Sequence, residues 1–440
     1  MNQEAFVLPQ QFGAKADGKA DDTPALLAAI REASEKKLTL KLPEGEYRIT
    51  STLILDHINI QSENAKISFY GMERNVPAVD MKDYVNIYGK LHIWSVDNQI
   101  SNHGGRCGLA FGRYGSGESG SHCYVEEVTV SGGIPNANGV FITGNSHDIR
   151  IDKIIIPEGT KIGRGILIHW GNADQHRPKD HMNRSLGYEH SENAEPTKHP
   201  HDIHVGTLIS AAYDDNNGEF VDQAAFHIAG GYNISCDEII ADGVRCVLAI
   251  TGGDCGFEFA SPEEKAQGMV GLRFGKITGT NISYHGALYT VLSSYLGNTG
   301  FYGELEIEEI NLNGCLVGVL SYGARKLKVG TMNMKNIKQQ ALHITCHTTN
   351  AEIDSVNLLE NCANLAAKIT AYKDEPLCEN IKINTIRVGE GCGADASTLV
   401  HANAVNGLEI GNVYCPKDAF KSILQADLLA SNVHLHQVKF

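Results

Sequence analysis

Histidines crowd one stretch of this chain. Seven of its 19 histidines, His169, His176, His181, His190, His199, His201 and His204, fall between residues 169 and 204. The same stretch carries Trp170, Asp174, Arg177, Lys179, Arg184, Tyr188 and Lys198, and Asp202, Tyr213, Asp214 and Asp215 lie in it or just beyond. An imidazole titrates near neutrality and can therefore take or give a proton at ordinary pH. Two chemistries use such a kit. Hydrolysis of a glycosidic bond needs two carboxylates with opposed roles. Removing a proton next to a sugar carboxylate needs a base such as His or Tyr, and a positive group to steady the charge that develops. Residue types alone do not choose between them.

The elements that must position these groups are legible in a repeat. The pattern apolar-x-apolar-x-x-apolar recurs at Val85, Cys123, Ile149, Ile203, Ile234, Leu272, Leu305, Leu327, Ala351, Ile381, Leu408 and Val433. Alternation with a period of two makes each unit a strand, and recurrence every few tens of residues makes the whole a stack. The expected fold is all-β: a right-handed, single-stranded parallel β-helix of about twelve coils, read as one elongated domain. A second strand follows in most coils: Gly139–Thr143, Gly165–His169, Ala225–Ala229, Val247–Thr251, Val317–Ser321 and Ala341–Thr345. Its last position is small or hydroxylated except at His169, which singles that residue out. The long step from Ile149 to Ile203 holds a loop-like insertion at about 171–199, and long loops on rigid scaffolds are a usual place for function.

Bulk composition excludes several classes. The formal net charge of −15 argues against a nucleic-acid surface, which needs a basic stripe. Eleven cysteines, an odd number with no Cys-x-x-Cys pair, do not make a disulfide framework and read as reduced core residues. No stretch is long and apolar enough to insert into a membrane, and Met1–Gln10 lacks the basic and apolar regions of a signal peptide. The expected location is cytoplasmic or virion-associated, or outside the cell for a protein trimmed of its leader.

Residues 1–50 read as an N-terminal cap and 51–440 as the β-helix. Thr23 is the expected N-cap of a helix running to about Lys36, with Pro24 in its first turn. The run FGAKADGKADDTPALLAAI (Phe12–Ile30), followed by LPEGEYRI (Leu42–Ile49), resembles the N-terminal signature of the pectate-lyase-like superfamily. That superfamily includes polygalacturonases, mannuronan epimerases and phage tailspike depolymerases, all right-handed parallel β-helices. His199-Pro200-His201-Asp202 is similar to the Asp-Pro-His-Asp/Glu motif of the mannuronan epimerases, with His199 in place of the first Asp. Asp214-Asp215 is similar to the paired aspartates of polygalacturonases, whose accompanying Asn-Thr-Asp, Gly-His-Gly and Arg-Ile-Lys motifs are absent here.

The resemblance implies a carbohydrate-active enzyme that cleaves an extended acidic polysaccharide, by elimination or hydrolysis. The alternatives are uronate C5-epimerisation and a non-catalytic, tailspike-like glycan-binding β-helix. The expected catalytic residues are His169, His201, Asp202, Tyr213, Asp214 and Asp215. Trp170, Asp174, His176, Arg177, Arg184, Tyr188, Asp254, Tyr284 and His285 would bind the sugar chain. No cofactor and no metal are expected, although His199 and His201 with His176 or His181 have the chemistry of metal ligands. The expected partner is a polysaccharide or oligosaccharide, and self-association as a trimer would cover the last coil. His227 and His343, mid-strand, read as packing residues.

Overall fold

The computed structural model describes residues 6–71, 76–95, 107–112, 118–169, 199–211, 224–251, 268–290, 303–362, 365–371, 375–393 and 398–440. The chain forms two compact units, Met1–Ile234 with 256–261, and Ser235–Cys255 with Pro262–Phe440. Each is built almost wholly of parallel strands.

The first unit opens with the cap. Thr23–Lys36 is an α-helix that buries Leu26, Ala29, Ile30 and Ala33 against the first strands. Its N-cap is Asp22, one residue earlier than expected. The Asp22 carboxylate is committed elsewhere, accepting the backbone N–H groups of Lys15 (2.7 Å) and Ala16 (3.0 Å). Thr23, with Pro24 behind it, therefore stands inside the helix, its N–H donating to Asp21. At the other end Lys37 takes the left-handed conformation at φ 52° and stops the helix.

Behind the cap, Leu40 pairs with Ile60, Ile60 with Ile87, Ile87 with Val125, Val125 with Ile151 and Ile151 with Val205. All are at most 2 % exposed. The stack of branched side chains defines the interior, and a slip of one residue would turn every one of them outward. Burying each contributes about 2 kcal/mol. Strands joined to the next coil by a crossover in one sheet follow the right-handed rule, giving a right-handed parallel β-helix.

The second unit repeats the scheme. Leu272, Leu305, Leu327, Ala351, Ile381, Leu408 and Val433, all starts of the sequence repeat, pair one to the next in direct register. Asparagine ladders lock neighbouring coils: Asn333 donates to Asn311, and Asn357 to Asn333, each at 2.9 Å. One rung of the second-strand ladder is displaced from its expected place. Tyr322, not Ser321, pairs with Thr345, so Ser321 faces the interior and Tyr322 the outside.

All ten described cysteines are buried and unbridged. Burial pushes the Cys123, Cys315 and Cys378 thiols up to about 12, which removes them as nucleophiles.

Candidate functional site

Every coil of the first unit turns into its repeat strand through one residue with positive φ. These are His57 (48°), Tyr84 (55°), His122 (56°), Asp148 (53°), Asp202 (54°) and Asn233 (52°). The left-handed region costs an ordinary L-residue roughly 1–2 kcal/mol, and Gly, Asn or Asp tolerate it best. The second unit mostly obeys that preference, with Gly271, Asn350, Asn380, Gly407 and Asn432 before its repeats. At three of the first unit's positions, His57, Tyr84 and His122, a bulky ring stands where glycine or asparagine would fit with less strain. Such an outlier points to a use beyond packing.

The rings form a ladder. His57 lies 5.1 Å from Tyr84, Tyr84 4.8 Å from His122, His122 5.3 Å from His147, His147 4.9 Å from His201, and His201 4.8 Å from Tyr232. Each coil contributes one ring, so six rings span five coil steps of about 4.8 Å, roughly 24 Å. Where neighbours are nearly parallel, as in Tyr84–His122 (20°), His147–His201 (15°) and His201–Tyr232 (4°), they cover one another's faces. What they offer outward is their edges: nitrogens and hydroxyls. Such a row has the chemistry to hydrogen-bond hydroxyl and carboxylate groups, and differs from a stacking platform for sugar faces. Exposure falls along it, from 62 % of the His57 side chain to 19 % of His201.

His201 and Asp202 form a pair at 2.8 Å through Nδ1 and Oδ2. An ionised carboxylate only accepts, so Nδ1–H of His201 donates, and the lone pair of the neutral ring lies on Nε2. Asn233 donates to the other oxygen of Asp202 at 3.0 Å. Partial burial acts to raise the Asp202 pKa, but the hydrogen bonds from His201 and Asn233 outweigh it and hold the carboxyl below its ordinary range. Asp202 is thus an orienting carboxylate and is poorly suited to donate a proton. The arrangement has the geometry of the base-and-orienter half of a catalytic triad.

His169 and His201 both donate backbone hydrogen bonds to the preceding coil, at Ile142 and Ser146. His169 is a rung between Thr143 and Ala229: its N–H donates to Ile142, and Ala229 N–H donates to Ile168. Its ring stands 6.4 Å from Phe141. In the preceding coil the equivalent turn, Thr143 to His147, is short, and its Ser146 carbonyl accepts the N–H of His201 at 3.1 Å. His169 is the last described residue before the insertion, and the buried His199, with Pro200, is the first after it. His169 and His201 flank the insertion. Trp170, Asp174, His176, Arg177, Arg184, Tyr188, Tyr213, Asp214, Asp215 and Asp254 lie outside the described residues.

His227, expected to pack, is buried and accepts at Nδ1 from Arg164 Nε (3.1 Å). In the second unit, Tyr284 is 43 % exposed and meets His285 edge-on at 4.5 Å, with the Arg245 guanidinium over its face. His285 is buried, and burial, aided by Arg245, lowers its pKa to about 4, so it is neutral at ordinary pH.

Sequence reasoning missed His57, Tyr84, His122, His147, Asp148 and Tyr232. The signal was present: each stands one or two places before a first apolar residue of its coil. Aligning the coils on that residue brings the column into view.

The family described as rhamnogalacturonase A/epimerase, pectate lyase-like, matches residues 7–102. No curated protein sequence matches the chain. Among solved structures, the Dettilon tailspike protein superposes with a TM-score of 0.49 at 11 % identity, covering 92 % of this chain and 68 % of its own. The A-module of a mannuronan C-5 epimerase from Azotobacter vinelandii gives 0.49 at 13 %, covering 98 % and 97 %. A surface adhesin of Streptococcus pneumoniae gives 0.45 at 12 %, covering 96 % and 91 %. None of these likenesses carries an activity to this chain.

Proposed function

We propose that this pectate-lyase-like β-helix is a carbohydrate-active enzyme that cleaves a uronate-containing polysaccharide by β-elimination, with His201 as the base. The observation that carries the reading is the His201–Asp202 pair, seated in a 24 Å row of hydrogen-bonding ring edges, about five coil steps long. An extended polymer fits a linear row better than a small molecule does.

In the step proposed, Nε2 of His201 takes the proton from the sugar carbon bearing the carboxylate. The electron pair forms a carbon–carbon double bond, and the bond to the glycosidic oxygen on the neighbouring carbon breaks. The departing oxygen receives a proton. Asp202 keeps the ring in the tautomer that can accept, and steadies the imidazolium once formed. Asp202, held ionised, does not supply the protonated carboxyl that hydrolysis requires.

The second reading is C5-epimerisation, favoured by the His199-Pro200-His201-Asp202 motif. It shares the first step and differs in returning a proton to the opposite face. His169, together with Tyr213, Asp214 and Asp215, is the proposed source of that proton or of the one given to the leaving oxygen. Arg177 and Arg184 are proposed to bind the sugar carboxylates. A panel of uronate polysaccharides tests the proposal. Ultraviolet absorbance of unsaturated uronate together with new reducing ends supports elimination, and inverted C5 centres without new ends support epimerisation. New ends without unsaturation would sink both.

A further inference from the structure

The ladder turns most sharply at one junction. It is near-parallel on either side, at Tyr84–His122 and His147–His201, but between His122 and His147 the planes turn by 75°. Asp148 enters at that junction. Its Oδ2 lies 3.1 Å from His122 Nδ1 and 3.9 Å from His147 Nε2. The three candidate ligand atoms all lie within 4.8 Å of one another.

The tautomer of His147 is fixed independently. Its Nδ1 is 2.8 Å from the backbone carbonyl of Asn145, which can only accept, so Nδ1–H donates there. In the neutral ring Nε2 then carries a lone pair, and it faces an ionised carboxylate oxygen at 3.9 Å. Two acceptors facing each other are unfavourable unless a positive charge stands between them. A backbone carbonyl holding the far nitrogen of an imidazole is also the usual support of a metal-ligating histidine.

The geometry points to a binding site for one divalent first-row transition-metal ion on His122, His147 and Asp148. Two imidazoles and a carboxylate suit zinc and its neighbours, whereas calcium and magnesium prefer all-oxygen sets. Ligand–ligand spacings around a tetrahedral zinc are about 3.4 Å, close to the 3.1 Å between Asp148 Oδ2 and His122 Nδ1, where the metal takes the place of the proton the two atoms share. The other spacings close by movement of side chains that are 27–48 % exposed. Three protein ligands leave a position open to water or an anionic oxygen. The imidazole of His201 stacks on His147 at 4.9 Å, so the proposed metal site adjoins the proposed base. Metal binding here rests on no assumption about the reaction.

The test is titration of the chelator-stripped full chain with Zn²⁺ by calorimetry and with Co²⁺ by visible absorbance. The comparison set is the wild type, His122→Ala, Asp148→Asn, and a triple change of His176, His181 and His190 to Gln. The expected result is one saturable site with the intense bands of low-coordinate cobalt. It should be weakened more than the roughly 10- to 100-fold typical of outer-shell changes by His122→Ala and by Asp148→Asn, and retained in the triple variant. Absence of saturable binding, binding unchanged in both single variants, or binding lost in the triple variant overturns the assignment. No sugar enters the experiment, so its failure is separate from any failure of the proposed elimination.

Discussion

The imidazole of His201 lies flat against the phenol of Tyr232, with centroids 4.8 Å apart and planes 4° from parallel. His147 covers the ring from the neighbouring coil at 4.9 Å and 15°. Held between two rings and tied to Asp202, His201 has little freedom to rotate. A base so fixed loses little entropy when it meets its proton.

Replacing His201 with Ala is expected to lower turnover by roughly 100- to 10,000-fold, the usual share of a general base. Asp202→Asn should cost a comparable factor by releasing the tautomer, with little change in KM. His434→Ala, on the second unit, serves as the control. Steady-state kinetics decide it, and an Asp202→Asn enzyme with wild-type kcat would remove the orienting role.

The depressed pKa of Asp202 has a consequence for stability. A carboxyl lowered on folding contributes stability above its unfolded pKa of about 3.9, and loses it as pH falls through the folded value. The contribution is small, below about 1 kcal/mol, because the pair is partly exposed. Thermal midpoints of wild type and Asp202→Asn should differ at neutral pH and converge below about pH 4. A gap that widens in acid would contradict the assignment.

His285 should show the opposite titration. Its pKa is lowered to about 4 by burial and by Arg245, while the unfolded value is about 6.5. The native state prefers the neutral ring, so stability is full above pH 6.5 or so and falls as pH drops toward 4. A His285→Gln variant should lose less stability than the wild type across that interval. Equal slopes in the two proteins would mean that the ring is not held neutral.

Tyr84 stands in the left-handed region at φ 55°. Changing it to Asn relieves strain worth about 1 kcal/mol while deleting one ring of the ladder. The expected outcome is equal or raised thermal stability with weaker binding of an extended polysaccharide. Loss of stability with unchanged binding would make the ladder a packing device.

The interior was legible in the sequence because burial imposes a strict period. Cys123, Ile149 and Ile203 pair in direct register, as do Leu305, Leu327 and Ala351. His169 was legible because it breaks a row of small and hydroxylated residues, and His201 and Asp202 because they stand in the His199-Pro200-His201-Asp202 motif. The ring column was not, because left-handed turns normally announce themselves by Gly or Asn, and His57, Tyr84 and His122 do not. Ser321 was assigned to the last position of the second strand for a related reason: a slip of one residue leaves the apolar pattern of Val317–Ser321 plausible, and only pairing places Tyr322 on the rung.

The most direct test of the account follows the proton itself. Uronate polysaccharide carrying deuterium at the carbon next to the carboxylate is turned over by wild type and by His201→Ala, with product structure read by NMR. The account predicts a primary isotope effect on the wild-type rate, loss of deuterium from that carbon, and turnover lowered by roughly 100-fold or more in the variant. Cleavage that retains the deuterium, or a His201→Ala enzyme that removes it at the wild-type rate, would contradict it.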